Sequence, residues 1–198
     1  MGIVDYGMGN HSSVIQSLRN IGFRTRLSDE KSVLDSTDVL ILPGVGAFPS
    51  AMQALHQRGL VEYLREQAKR MRPIVGICLG MQLLATASHE YQYTTGLDLI
   101  PGEVKPLVHV KWHIGWNTIE CVRQDSLFRE SDGESFYFNH SFSYQGPSEY
   151  HVCVSRHPEP FASVIRRNHV VGIQFHPEKS QTAGRALLQN LVEGLVDA

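Results

Sequence analysis

Pro73-Ile74-Val75-Gly76-Ile77-Cys78-Leu79-Gly80-Met81-Gln82-Leu83-Leu84 decides the fold. Its first half is a short, continuous apolar run, the pattern of a strand buried on both faces. Its second half has helical composition and extends the predicted helix to Thr86. The junction falls on a lone cysteine between two glycines. A side chain at such a sharp strand-to-helix turn is held out at the carboxyl end of a sheet.

The same grammar recurs on either side. Ile3 to Tyr6 reads as a strand, Gly7 to Asn10 as a turn, and His11 to Ile21 as a helix that Gly22 ends. Phe23 to Leu27 alternates like a strand. Asp38 to Leu42 is a second buried run, which Pro43-Gly44 is expected to stop. Ala47 to Ala68 is expected to be helical with a break near Gly59. Strand and helix alternating at this spacing predict a parallel sheet covered by helices. Beyond Gly96 the pattern changes to shorter strands with polar turns, over Pro101–Cys121, Phe136–Phe138, Tyr150–Ser155 and Ala162–Arg166. Val170 to Phe175 is a last core strand, and a helix from Lys179 to Val196 closes the chain. The expected fold is therefore α/β. It has a central, mostly parallel mixed sheet flanked by helices, an added antiparallel portion, and one domain over residues 1–198.

Composition narrows the function. The chain has 198 residues, 42% hydrophobic and 19% charged, with a formal charge of -2. This suits one well-buried core and gives no case for a nucleic-acid or membrane surface. The opening residues lack a signal-peptide pattern, so a cytoplasmic location is expected. Cys78, Cys121 and Cys153 are an odd, widely spaced set, which argues against a disulfide framework or a cysteine zinc site. No metal and no cofactor are expected.

Cys78 is the candidate nucleophile. Free N–H groups at the start of the following helix favour a thiolate, and the Leu79 N–H is placed to donate to an oxyanion. Taken alone, the motif leaves a nucleophile and an ordinary buried cysteine equally open. Cys121 and Cys153 read as the ordinary kind. His176 follows the Val170–Phe175 strand and shares the sheet edge of Cys78 if the two strands are parallel. Glu178, two residues on, is placed to hold the imidazole in one tautomer. Pro43-Gly44-Val45-Gly46-Ala47-Phe48 leaves another core strand at that edge. It lacks the lysine and hydroxyl ending of a P-loop. Beside a cysteine nucleophile it makes better sense as the second half of an oxyanion hole, with backbone N–H groups from Val45 and Gly46.

With these residues in view, the sequence resembles the class I glutamine amidotransferases, which carry a Cys-His-Glu triad; Cys78, His176 and Glu178 match it. Within that class it is similar to the glutaminase subunits of imidazole glycerol phosphate synthases, along nearly the whole chain. The matching segments are Asp5–Asn10, Leu42–Phe48, Gly76–Leu84, Ile100–Val104, His113–Asn117 and Gly172–Ser180. The resemblance implies that glutamine is hydrolysed through a Cys78 thioester. The ammonia passes to a (βα)8-barrel cyclase, which makes imidazole glycerol phosphate and an aminoimidazole carboxamide ribotide in histidine biosynthesis. It also implies that Gln82, Gly44 and the Ser141-Phe142 region contact glutamine. Trp116 and Asn117 fall in the expected partner interface, and Asn10 and Lys179 are placed to signal partner occupancy. His113 and His140 line the site or interface, and neither is the expected base.

The chain departs from the family pattern at Trp112, Asn139 and Phe142. These lie near the expected glutamine site and partner face and leave the triad intact. A related reading keeps the glutaminase and gives it a sugar-amidating synthase in surface-polysaccharide biosynthesis. A reading of another class is a non-catalytic regulatory subunit, against which the complete triad argues. A stand-alone cysteine hydrolase on a similar fold is a further alternative.

Overall fold

The computed structural model describes residues 1–196. Its principal sheet has eight strands. In spatial order they are Arg26–Ser28, Gly2–Val4, Leu40–Gly44, Ile74–Cys78, Val170–Ile173, Pro160–Arg167, His151–Arg156 and Glu120–Cys121. The first five run parallel and the last three antiparallel. The sheet is thus mixed, as the change of pattern beyond Gly96 predicts.

Alternation along the central strands splits the core. Leu40, Leu42, Ile74 and Val170 pack with the helices Phe48–Gln57 and Leu60–Lys69. Ile41, Val75, Ile77, Val171 and Ile173 pack with the helices His11–Asn20 and Gln181–Val196. Each fully buried aliphatic side chain contributes about 1.5–3 kcal/mol, so the two layers together fix the sheet's register. Gly59, at φ +63, takes the left-handed conformation that breaks the expected long helix in two.

Two smaller sheets cover the edge where the parallel strands end. His113–Thr118 pairs antiparallel with Ser135–His140. Phe142–Gln145, Glu103–Pro106, Ala87–Ser88 and Thr94–Thr95 form the other. Phe136 stacks on Phe175 with ring centroids 4.2 Å apart, which ties the first of these sheets to the core.

Several boundaries differ from the sequence reading. The Leu40–Gly44 strand runs through Pro43 instead of stopping there. Its pairing with Gly2–Val4 ends at Ile41, so Pro43 lies beyond that ladder. The helix after Cys78 covers only Leu79–Leu83. The segment 97–100 folds back and donates its N–H groups to the carbonyls of Leu83, Leu84 and Ala85, which ends the helix. The edge strand begins at Arg26 rather than Phe23, and the last helix begins at Gln181. Among the described residues, no helix is long and apolar enough to cross a membrane.

Candidate active site

The elbow at Cys78 is built by close backbone packing. A Cβ on Gly80 would lie 1.8 Å from the Leu42 carbonyl oxygen, and one on Gly76 would lie 2.5 Å from that of Gly80. Only glycine lets the short helix sit this tightly on the strands. Cys78 itself has φ +55 and ψ −112, a conformation that costs about 1–3 kcal/mol and that the surrounding packing must enforce. The result is a cysteine residue 7% exposed, at the wall of a cavity of about 310 Å³.

Val170–Ile173 pairs parallel with Ile74–Cys78, so its exit delivers His176 to the same edge. The His176 backbone N–H donates to the Tyr137 carbonyl at 2.8 Å. Ser180 braces the turn, its hydroxyl donating to the His176 carbonyl and accepting from the Tyr137 N–H. His176 Nδ1 lies 2.8 Å from Glu178 Oε1, and these side chains are 4% and 2% exposed. Burial by itself lowers the pKa of His176. The adjoining Cys78 and Glu178, through hydrogen bonding and charge, outweigh it and raise the value to about 9. The imidazolium is therefore favoured at neutral pH, and an imidazolium stabilises a neighbouring thiolate.

Val45, Gly46, Leu79, Gln82, Ser141, Phe142 and Lys179 also line this cavity. Gly46 has φ +101. Gly44 lies beneath the wall, paired with Cys78, where a Cβ would come 2.6 Å from the Tyr6 hydroxyl. Gln82 Nε2 donates to the Phe142 carbonyl at 3.0 Å and to Gln174 Oε1 at 3.1 Å. Lys179 Nζ sits 5.8 Å from the centroid of the Tyr137 ring. Trp116 is exposed and meets Tyr137 edge-on. Asn117 bonds to His113 and to the Arg156 carbonyl, and Asn10 precedes the first helix without capping it through its side chain. Trp116, Asn117 and Asn10 are outside the cavity lining.

Glu90, Tyr91 and Gln174 escape the sequence reading. Glu90 lines the cavity, and its Oε2 accepts the Phe48 N–H at 2.7 Å. Its pKa is raised, by burial first, with the Phe48 bond opposing. Nothing in His89-Glu90-Tyr91 marks it, because a loop position carries no periodicity. Gln174, fully buried, places Nε2 3.9 Å from Cys78 Sγ. A polar side chain inside the apolar Val170–Phe175 run was the available signal.

A roomier cleft of about 560 Å³ lies at the opposite, amino-terminal edge of the strands, with Arg65, Lys69, Arg167 and His169 in its wall. No cysteine, serine or threonine lines it, whereas Cys78, His176 and Glu178 converge at the smaller cavity, which makes that cavity the candidate site.

The model of the family described as glutamine amidotransferase class-I matches residues 2–194. The chain is a class I glutamine amidotransferase. It is 44% identical over 197 residues to the imidazole glycerol phosphate synthase subunit HisH of Moorella thermoacetica, covering 96% of this chain and 93% of the relative. With the subunit of the same name from Carboxydothermus hydrogenoformans it shares 43% over 197 residues, and 98% of each chain. Among solved structures, PurLQS from Thermotoga maritima superposes with a TM-score of 0.78 at 18% identity, over 98% of this chain and 97% of that one. At that identity the likeness bears on fold alone. It agrees with the mixed α/β architecture of this amidotransferase.

Proposed function

We propose that this chain is the glutaminase subunit of an imidazole glycerol phosphate synthase in histidine biosynthesis, with Cys78, His176 and Glu178 as its triad. One observation carries the chemistry: a cysteine held at a strained elbow shares a cavity with a histidine whose far nitrogen is bonded to a buried carboxylate. The thiolate attacks the side-chain carboxamide carbon of glutamine. The C–N bond breaks as His176 gives its proton to the departing ammonia. Neutral His176 then takes a proton from water, hydroxide attacks the thioester, and the C–S bond breaks. Glutamate leaves, and the thiolate and imidazolium are restored.

The N–H groups of Val45, Gly46 and Leu79 are assigned to the oxyanion, since all three residues border the cavity beside Cys78. Gln82, Ser141 and Phe142 are assigned to the amino-acid portion of glutamine, over the Gly44 loop. Glu90 adds a carboxylate that suits its α-ammonium group. Burial of Glu178 Oε1 against the ring argues against a non-catalytic regulatory subunit, for which this alignment has no use.

The partner is assigned as a (βα)8-barrel cyclase. Asn139, in the cavity wall, pairs across the ladder with Ile114. Trp112, Ile114 and Trp116 are 60%, 59% and 51% exposed. This apolar row therefore borders the mouth from which ammonia leaves, where a synthase would shield it from water. Identities above 40% to relatives bearing that synthase's name favour it over a sugar-amidating one. Glutamate release from glutamine, with and without a cyclase subunit carrying its nucleotide ligand, tests the assignment. Strong stimulation is expected. Equal release in both conditions would reject this partner.

A further inference from the structure

His113 and His140 lie beside the triad and take no part in it. His140 Nδ1 is 2.8 Å from the Phe142 carbonyl oxygen, which only accepts, so Nδ1 carries the proton. In a neutral ring Nε2 is then the acceptor. It lies 3.0 Å from His113 Nδ1, which must donate. His113 Nε2 in turn accepts from Asn117 Nδ2, 3.2 Å away. The orientation of Asn117 is fixed independently. Its Oδ1 accepts the Thr118 N–H at 2.8 Å, and its Nδ2 also donates to the Arg156 carbonyl at 3.0 Å. Every proton along this path points the same way, from Asn117 toward Phe142.

The chain requires both rings to be neutral, and their surroundings meet that requirement. His113 stacks between Phe138 and His157, at centroid distances of 4.7 and 4.2 Å. Burial, then the charge of His157, lowers its pKa to about 4. Burial is also the leading influence on His140, whose pKa is about 3. The Phe142 bond opposes that shift, and His113, His157 and His176 add to it. No carboxylate faces either ring among these influences.

At its far end the chain meets the pocket. The Phe142 carbonyl accepts from His140 and from Gln82 Nε2, so both lone pairs are occupied. Its position therefore governs how the Gln82 amide is presented to the cavity. At its near end, Asn117 adjoins Trp116 in the strand with its side chain on the opposite, His113-bearing face, so the exposed apolar row is one backbone step away.

We propose that His113 and His140 are positioning residues. Their one-way hydrogen-bond chain ties the Trp116 docking face to the Phe142 carbonyl and Gln82, and so sets glutamine affinity according to partner occupancy. This rests on the reading of the cavity as the glutamine site. Asn117→Asp replaces the donor with an acceptor and conflicts with the polarity of the whole chain. His113→Phe keeps the stacked ring and removes both bonds.

The experiment compares glutamate release by wild type and the two variants with the cyclase and its nucleotide present. Nitrogen-detected NMR of the wild-type imidazoles and the rate of Cys78 alkylation by iodoacetamide accompany it. Both variants should raise KM for glutamine about tenfold, the scale of one lost hydrogen bond. Their kcat should stay within about threefold and alkylation should be unchanged, because the triad is intact. The wild-type spectrum should show His113 and His140 as neutral Nδ1–H tautomers at pH 6. An Nε2–H tautomer at either ring, or an unchanged KM in both variants, would overturn the inference; the spectrum decides it if a variant fails to fold. A wild type that releases no glutamate would instead overturn the reading of the cavity, and with it this role for the chain.

Discussion

The proposed triad corner and the neighbouring His113–His140 ladder both bury imidazoles, yet they drive them in opposite directions. At His176, Cys78 and the buried Glu178 carboxylate outweigh desolvation, and the pKa rises to about 9. At His113 and His140, the ring partners are a carbonyl, an amide and each other, desolvation wins, and the values fall to about 4 and 3. Burial alone does not make a buried histidine an acid or a base. The charge of the group it faces does. On the functional reading proposed above, one corner moves a proton and the other holds an orientation.

The largest effect that would break this comparison is on kcat. His176→Ala should lower the rate of glutamine hydrolysis by about 10²–10⁴-fold, the range for a general acid–base group. His113→Phe should act on KM instead. If both variants lost kcat equally, the two regions would not differ in kind.

Glu178→Gln comes next. The amide keeps the shape but does not stabilise an imidazolium, so kcat should fall by up to about 10⁴-fold. The pH at which iodoacetamide alkylation of Cys78 rises should also shift. An unshifted profile would mean that Glu178 does not hold the His176 proton.

The smallest effect is on stability. The folded-state pKa of His176 is raised, so its contribution is fully present below about pH 6.5 and fades as pH rises through about 9. For His113 and His140 the folded values are lowered. Their contribution is present above about pH 6.5 and is lost as pH falls toward 4 and 3. Denaturant midpoints measured across pH should therefore be lower for wild type at pH 4.5 than at pH 7. His113→Phe should flatten the acid side. An equally steep acid loss in that variant would remove His113 from the explanation.

The parallel half of the fold was legible because its strands are buried on both faces. Asp38–Leu42, Pro73–Ile77 and Val170–Phe175 are continuous apolar runs with few alternative readings. The edge strand at Arg26–Ser28 was misplaced, since an exposed edge carries little pattern. The short helix after Cys78 is shorter than its composition predicts because its end is set by carbonyl capture from the distant 97–100 segment. In the same way, Cys78 and His176 announce themselves through strand ends and neighbouring glycine or proline. Glu90 reaches the cavity only through folding of a loop, and Asn117, His113 and His140 become a chain only when two strands pair. Nothing in the sequence links Cys121 to Cys153, yet strand pairing sets their sulfurs 3.0 Å apart as free thiols.

The most direct test of the central claim is peptide mass spectrometry of the protein quenched in acid during turnover of glutamine with the cyclase present. A glutamyl thioester on the peptide carrying Cys78 is the predicted result, with Cys121 and Cys153 unmodified. Steady glutamate release with the acyl group on either of those cysteines, and none on Cys78, would contradict it.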